Sequence, residues 1–180
     1  MGDENRRILQ MNLVVADTGP LLHLCEIESF DLLRCFGGSI QATPIVLDEF
    51  RKYQPDYFRD FFPGWVMRVS ISAATTALAN QWTTSGWVDP GEAEALANAK
   101  HVDADLFLTD DSAARTLAES LGLEARGTLG VILYAAATGA MTRSDAFRTL
   151  ADLERRSTLW MSARVKDSAR AAISRIAGEP

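Results

Sequence analysis

Five acidic residues stand where carboxylates could do chemistry together: Asp17, Glu49, Glu92 and the adjacent pair Asp110-Asp111. Asp17 ends the apolar run Leu13-Val14-Val15-Ala16, and Asp110-Asp111 follow Leu106-Phe107-Leu108-Thr109. Both runs read as strands buried on two faces, with acids at their carboxyl ends. Glu49 lies three residues after Val46, beside an apolar stripe, and Glu92 opens an alanine-rich helix. In open α/β sheets the carboxyl ends of the strands bound the binding crevice, so two strand-end acids and two helix acids can converge there. Unit charges roughly 4 Å apart repel by about 1 kcal/mol in water and about 4 kcal/mol near a protein surface. Several such pairs require protonation or a hard cation, and an oxygen-only donor set suits Mg2+ or Mn2+. A site of that kind polarises a phosphoryl oxygen and lowers the pKa of water, which points to phosphodiester hydrolysis without His or Cys. Taken alone, the stretch around Asp17 fits a helix cap equally well.

The elements that must position these acids follow from patterning. Strands are expected over 13–16, 39–42, 65–71, 106–108 and 124–126, with 158–162 as an edge strand. Helices are expected over 21–27 and on toward Phe36 with a break near Glu28-Ser29, then from Thr43-Pro44, over 73–82, from Pro90, over 112–121 and over 131–138. Ile45, Val46, Phe50 and Tyr53 would share the inner face of the helix that carries Glu49. The aromatic segment 54–64 reads as a short helix or lid-like excursion. Ser144 is the expected cap of a helix ending at Arg156, and 163–177 a final amphipathic helix. Alternation of strand and helix predicts one α/β domain, with a central parallel sheet between helical layers.

With 180 residues, nearly half of them apolar, the chain can bury a sizeable core. Residues 1–10 read as a flexible leader before a single domain over 11–180, whose motif-bearing core is 13–139 and whose tail, 140–180, is helical. No apolar run approaches a membrane span, and the two cysteines, Cys25 and Cys35, form no disulfide framework, so a cytoplasmic protein is expected. The net charge is -6, but residues 141–180 carry eight Lys or Arg against five Asp or Glu, or +3, leaving -9 on the remainder. Such a chain can still bind phosphates locally, but ordinary solvated helix faces account for the basic residues better than a dedicated nucleic-acid patch does. His23 and His101 lack partners at metal spacing and read as structural. The four tryptophans, Trp65, Trp82, Trp87 and Trp160, read by default as core packing rather than base-stacking platforms. Gly127-Thr128-Leu129-Gly130 lacks the spacing of a P-loop and reads as tight packing at a helix start.

The segments VVADTGPLL, TPIVLDEF, DPGEAEALANA and DLFLTDDSAARTLAESLGL, followed by GTLGVILYAA, resemble in order the successive motifs of the PIN-domain family. The resemblance implies a three-layer α/β/α sandwich around a parallel sheet and a metal-dependent ribonuclease, with many members serving as toxins of toxin-antitoxin pairs, typified by VapC-like proteins. Carried onto this chain, it implies metal-site roles for Asp17, Glu49, Glu92 and Asp111. Glu94 and Asp110 are the competing neighbours, and Thr18 and Thr109 would supply hydroxyls. It further implies Mg2+ or Mn2+ as cofactor, RNA as substrate, an antitoxin protein as partner and a homodimer. Two other readings stand beside it. One is an inactive or regulatory PIN-like interaction module. The other is a phosphatase with Asp17 as nucleophile, although Gly19 occupies the place where such an enzyme needs its second acid.

Overall fold

The computed structural model describes residues 11–176. Five short strands form one sheet: β1 (Leu13–Ala16), β2 (Ser39–Ala42), β3 (Val66–Arg68), β4 (Leu106–Leu108) and β5 (Ala125–Arg126). Their spatial order is β3-β2-β1-β4-β5, and every pairing is parallel. Strand order reverses between β1 and β4, so the crevice of a doubly wound sheet opens at their carboxyl ends. Ala16 pairs with Leu108, which makes Asp17 and Thr109 the next rung. The Asp17 amide continues the ladder by donating to the Leu108 carbonyl at 2.9 Å.

Burial explains why the central strands were readable. Val14, Val15, Ala16 and all three residues of β4 are fully buried, as a strand covered on both faces demands. β5 is two half-buried residues and β3 exposes Met67, as sheet edges do.

The helices are α1 (Thr18–Glu26), α2 (Pro44–Tyr53), α3 (Pro55–Asp60), α4 (Ala73–Thr84), α5 (Pro90–His101), α6 (Ser112–Ser120), α7 (Thr128–Ala137), α8 (Arg143–Arg156) and α9 (Ala163–Arg175), with a 3-10 helix at Phe30–Phe36. On one side α5 packs on β1 and β4 and is flanked by α2, α4 and α6. On the other, α1, α7 and the 3-10 helix pack together and are backed by α8 and α9. The result is the expected three-layer α/β/α sandwich.

Several local expectations are corrected. Tyr53 points outward at 65 % exposure, and Leu47 takes its place beside Val46 and Phe50 in the core. Thr142, not Ser144, caps α8: its hydroxyl accepts from the Asp145 amide at 3.0 Å and donates to the Asp145 carboxylate at 2.7 Å. Residues 158–162 form no strand. The Thr158 amide donates instead to the Glu26 carboxylate at 2.7 Å, and the Leu159 amide to the Ser157 hydroxyl. Trp82 is core, but Trp87 and Trp160 are exposed. The proposed leader, 1–10, and residue 177 of the expected last helix lie outside the described residues.

Candidate active site

Asp17 is placed by the turn from β1 into α1. Its Oδ1 accepts from the Thr18 amide at 2.7 Å and its Oδ2 from the Thr109 hydroxyl at 3.1 Å, so it caps α1 and crosses to β4 at once. The side chain is almost wholly buried, with 5 % of the residue exposed. Burial pushes its carboxyl up to about 7, opposed by the hydrogen bonds from Thr18 and Thr109 and reinforced by the charges of Glu92 and Glu49.

Glu49 approaches from α2. Its Oε2 accepts from the Thr18 hydroxyl at 2.6 Å, so Thr18 serves one acid through its amide and another through its side chain. The start of α5 lies against the same carboxylate. A Cβ on Gly91 would stand 2.7 Å from Glu49 Oε2 and 2.9 Å from Oε1, so glycine gives Glu49 its room. Glu92 follows directly and accepts from the Asp89 amide at 2.8 Å. Desolvation raises its pKa first of all; the Asp89 hydrogen bond lowers it, and the charges of Asp111, Asp89 and Glu49 raise it again.

Asp111 caps α6, accepting from the Ala114 amide at 2.7 Å, and its own amide donates to the Thr109 hydroxyl at 3.2 Å. Thr109 therefore touches both strand-end acids. The resulting chain of contacts joins Asp111, Thr109, Asp17, Thr18 and Glu49, with Glu92 coupled to it through charge. None of the four acids forms an ion pair with Lys or Arg among the described residues. Among those residues, too, no three His, Cys, Asp or Glu side chains already form a compact ligand cluster. The acids are linked through hydroxyls and charge rather than gathered on one point.

The two competing neighbours face other partners. Glu94 Oε1 accepts from the Ile45 amide at 2.9 Å, capping α2 from across the fold, while the buried hydroxyl of Thr43, the residue before α2, has no hydrogen-bond partner among the described residues. Asp110 Oδ1 accepts from the Thr128 amide at 2.7 Å. Its Oδ2 receives the Thr128 hydroxyl at 2.5 Å and lies 2.8 Å from His23 Nδ1. The helix start at 127–130 is thus filled by the protein's own carboxylate, and a Cβ on Gly127 would collide with it. Sequence reasoning passed over Gly91 and Arg115, whose Nη2 donates to the Thr109 carbonyl at 3.2 Å. A glycine in a helix's first turn directly before a suspected acid was the signal available for Gly91.

No curated protein is significantly similar to the chain. A family model described as a PIN domain matches residues 13–175, which include all of the acids above. The parallel 3-2-1-4-5 sheet, flanked by helices on both faces, agrees with that match. The chain belongs to the PIN-domain family.

Proposed function

We propose that this PIN-domain protein is an endoribonuclease that uses Mg2+ or Mn2+ at Asp17, Glu49, Glu92 and Asp111, and that it is the toxin of a toxin-antitoxin pair. The observation that carries the reading is Asp17 itself. It is a buried carboxyl at the sheet's switch point, pushed up to about 7 by burial and by neighbouring acids that no cationic side chain pairs with among the described residues. A hard divalent cation fits that donor set, because every candidate ligand is an oxygen and the uncompensated charge is negative. Such an ion supplies Lewis-acid polarisation of a phosphoryl oxygen and a lowered pKa for water. Thr18 and Thr109 orient the carboxylates through the hydrogen bonds above, and Gly91 leaves Glu49 free to approach. Asp17, once ionised, would be the central acceptor, with Glu92 and Asp111 set to take a proton or orient water at the cleaved phosphate.

RNA cleavage with Mg2+ or Mn2+ tests this. It should disappear on chelation and in Asp17→Asn, which keeps the shape of the side chain, as well as in Asp17→Ala. Cleavage that survives both chelation and substitution contradicts the reading. If the protein is a toxin, its expression arrests growth and the product of the adjacent gene relieves the arrest. Arrest indifferent to every neighbouring gene counts against that part.

A second reading has its own support, since three of the acids serve as caps: Asp17 for α1, Glu92 at the start of α5 and Asp111 for α6. An inactive interaction module needs nothing more from them. That reading predicts no stabilisation by divalent cations, whereas a ligand at 100 times its dissociation constant adds about 2.7 kcal/mol.

A further inference from the structure

A groove of about 640 Å3 is lined by Asp110 and Asp111, by the starts of α6 and α7, and by the segment 159–162. Its walls include Arg115, Arg126, Leu129, Leu133 and Trp160. Trp160 is 83 % exposed, the highest value among the exposed large hydrophobic side chains of the described residues. Its segment is nevertheless tied down. Thr158 bonds to Glu26 through both amide and hydroxyl, Met161 is buried, and the Ser162 side chain caps α9. An indole exposed at the wall of a groove presents a flat face on which a base can stack.

The polar groups of the groove narrow the occupant. Of the two acids that line the groove, Asp110 is engaged by Thr128 and His23, while Asp111 is one of the four acids proposed above to hold the metal. Arg115 and Arg126 also line the groove. Arg115 donates from Nη2 to the Thr109 carbonyl and has a buried Nε with no hydrogen-bond partner among the described residues, and Arg126 pairs with Glu124 and lies 5.1 Å over the Tyr134 ring. An aromatic platform, two guanidinium groups and one of the acids of the proposed metal site match a strand of alternating bases and phosphates.

We propose that this groove is a nucleotide subsite in which an unpaired base flanking the cleaved phosphodiester stacks on Trp160, with its phosphate beside Arg115 and Arg126. This rests on the ribonuclease reading above and adds to it Trp160 as the platform for the flanking base. Stacking accepts any base face, so the subsite selects unpaired structure more than sequence.

The test measures binding of fluorescently labelled single-stranded RNA oligonucleotides, in Mg2+, by the full chain carrying Asp17→Asn. Adding Trp160→Ala should weaken binding by about 5- to 150-fold, and Trp160→Phe should restore most of it. The melting temperature should stay the same, because the ring packs on little. An oligonucleotide without bases should bind both proteins equally. In the active protein Trp160→Ala should raise KM and leave kcat nearly unchanged. Unchanged RNA affinity in Trp160→Ala, while the parent still binds or cleaves RNA, overturns the subsite alone. Unchanged affinity with loss of a dimer on sizing overturns it in favour of a contact with a second copy. Failure of the parent to bind or cleave any RNA overturns the ribonuclease reading and the subsite with it.

Discussion

Asp17 answers to two demands, and they have opposite pH dependence. In the native state it keeps its proton up to about 7, whereas the unfolded chain releases it near 3.8. Between those values the native state binds more protons. The stability this contributes is therefore present at low pH and is lost as pH rises through about 7. Glu92 is shifted in the same direction. Thermal melts without divalent ions should show the parent losing stability from pH 5 to 8 more steeply than Asp17→Asn, and equal slopes would remove the buried-acid account. Added Mg2+ should raise the melting temperature more at pH 8 than at pH 5, because it competes with that proton. Gly91→Ala separates function from folding. Alanine is the better helix residue by roughly 0.5–1 kcal/mol, yet its Cβ would stand 2.7 Å from Glu49 Oε2. Denaturant melts should find the variant about as stable as the parent while its cleavage falls at least tenfold. Full activity in Gly91→Ala would show that the position of Glu49 is not critical.

Asp17, Glu92 and Asp111 hold helix starts and also belong to the proposed metal site, whereas Glu94 and Asp110 hold helix starts alone. Glu94 caps α2 from α5, so Glu94→Ala should cost about 0.5–2 kcal/mol in denaturant melts and leave cleavage intact. Glu92→Gln should do the reverse, and a swap of these outcomes would move the site to Glu94. Asp110 fastens the start of α7 to α1 through Thr128 and His23. Asp110→Ala should destabilise by about 1–3 kcal/mol for each buried group it strands, far more than Glu94→Ala. Much of this scale was legible in the sequence, because β1 and β4 are apolar runs buried on both faces and each ends on an acid. The separate duties of adjacent acids were not. Asp110 and Asp111 differ by one position, but the partners that set Asp110 apart come from 18 and 87 residues away. Likewise, Thr158 is drawn to Glu26, 132 residues back, which no local pattern at 158–162 records.

At the scale of the whole molecule, the fold gathers charge unevenly. The acids of the crevice belong to a segment of net -9, while residues 141–180, which supply Trp160 and the groove's outer wall, carry +3. Among the described residues no helix is long and apolar enough to cross a membrane. The parallel sheet was readable from the alternation of elements, and the switch point between β1 and β4 follows from the pairing order that the structure supplies. What a sequence could not reveal is that Thr18 and Thr109 join Asp17, Glu49 and Asp111, with Glu92 coupled to them through charge. The central claim is that these four carboxylates share a divalent cation. Anomalous diffraction from a crystal soaked in Mn2+ tests it most directly. The expected result is a manganese peak bounded by Asp17, Glu49, Glu92 and Asp111, with Asp110 and Glu94 still on their helix starts. A peak on Asp110 or Glu94, or a crevice that stays without manganese at saturating concentration, would contradict it.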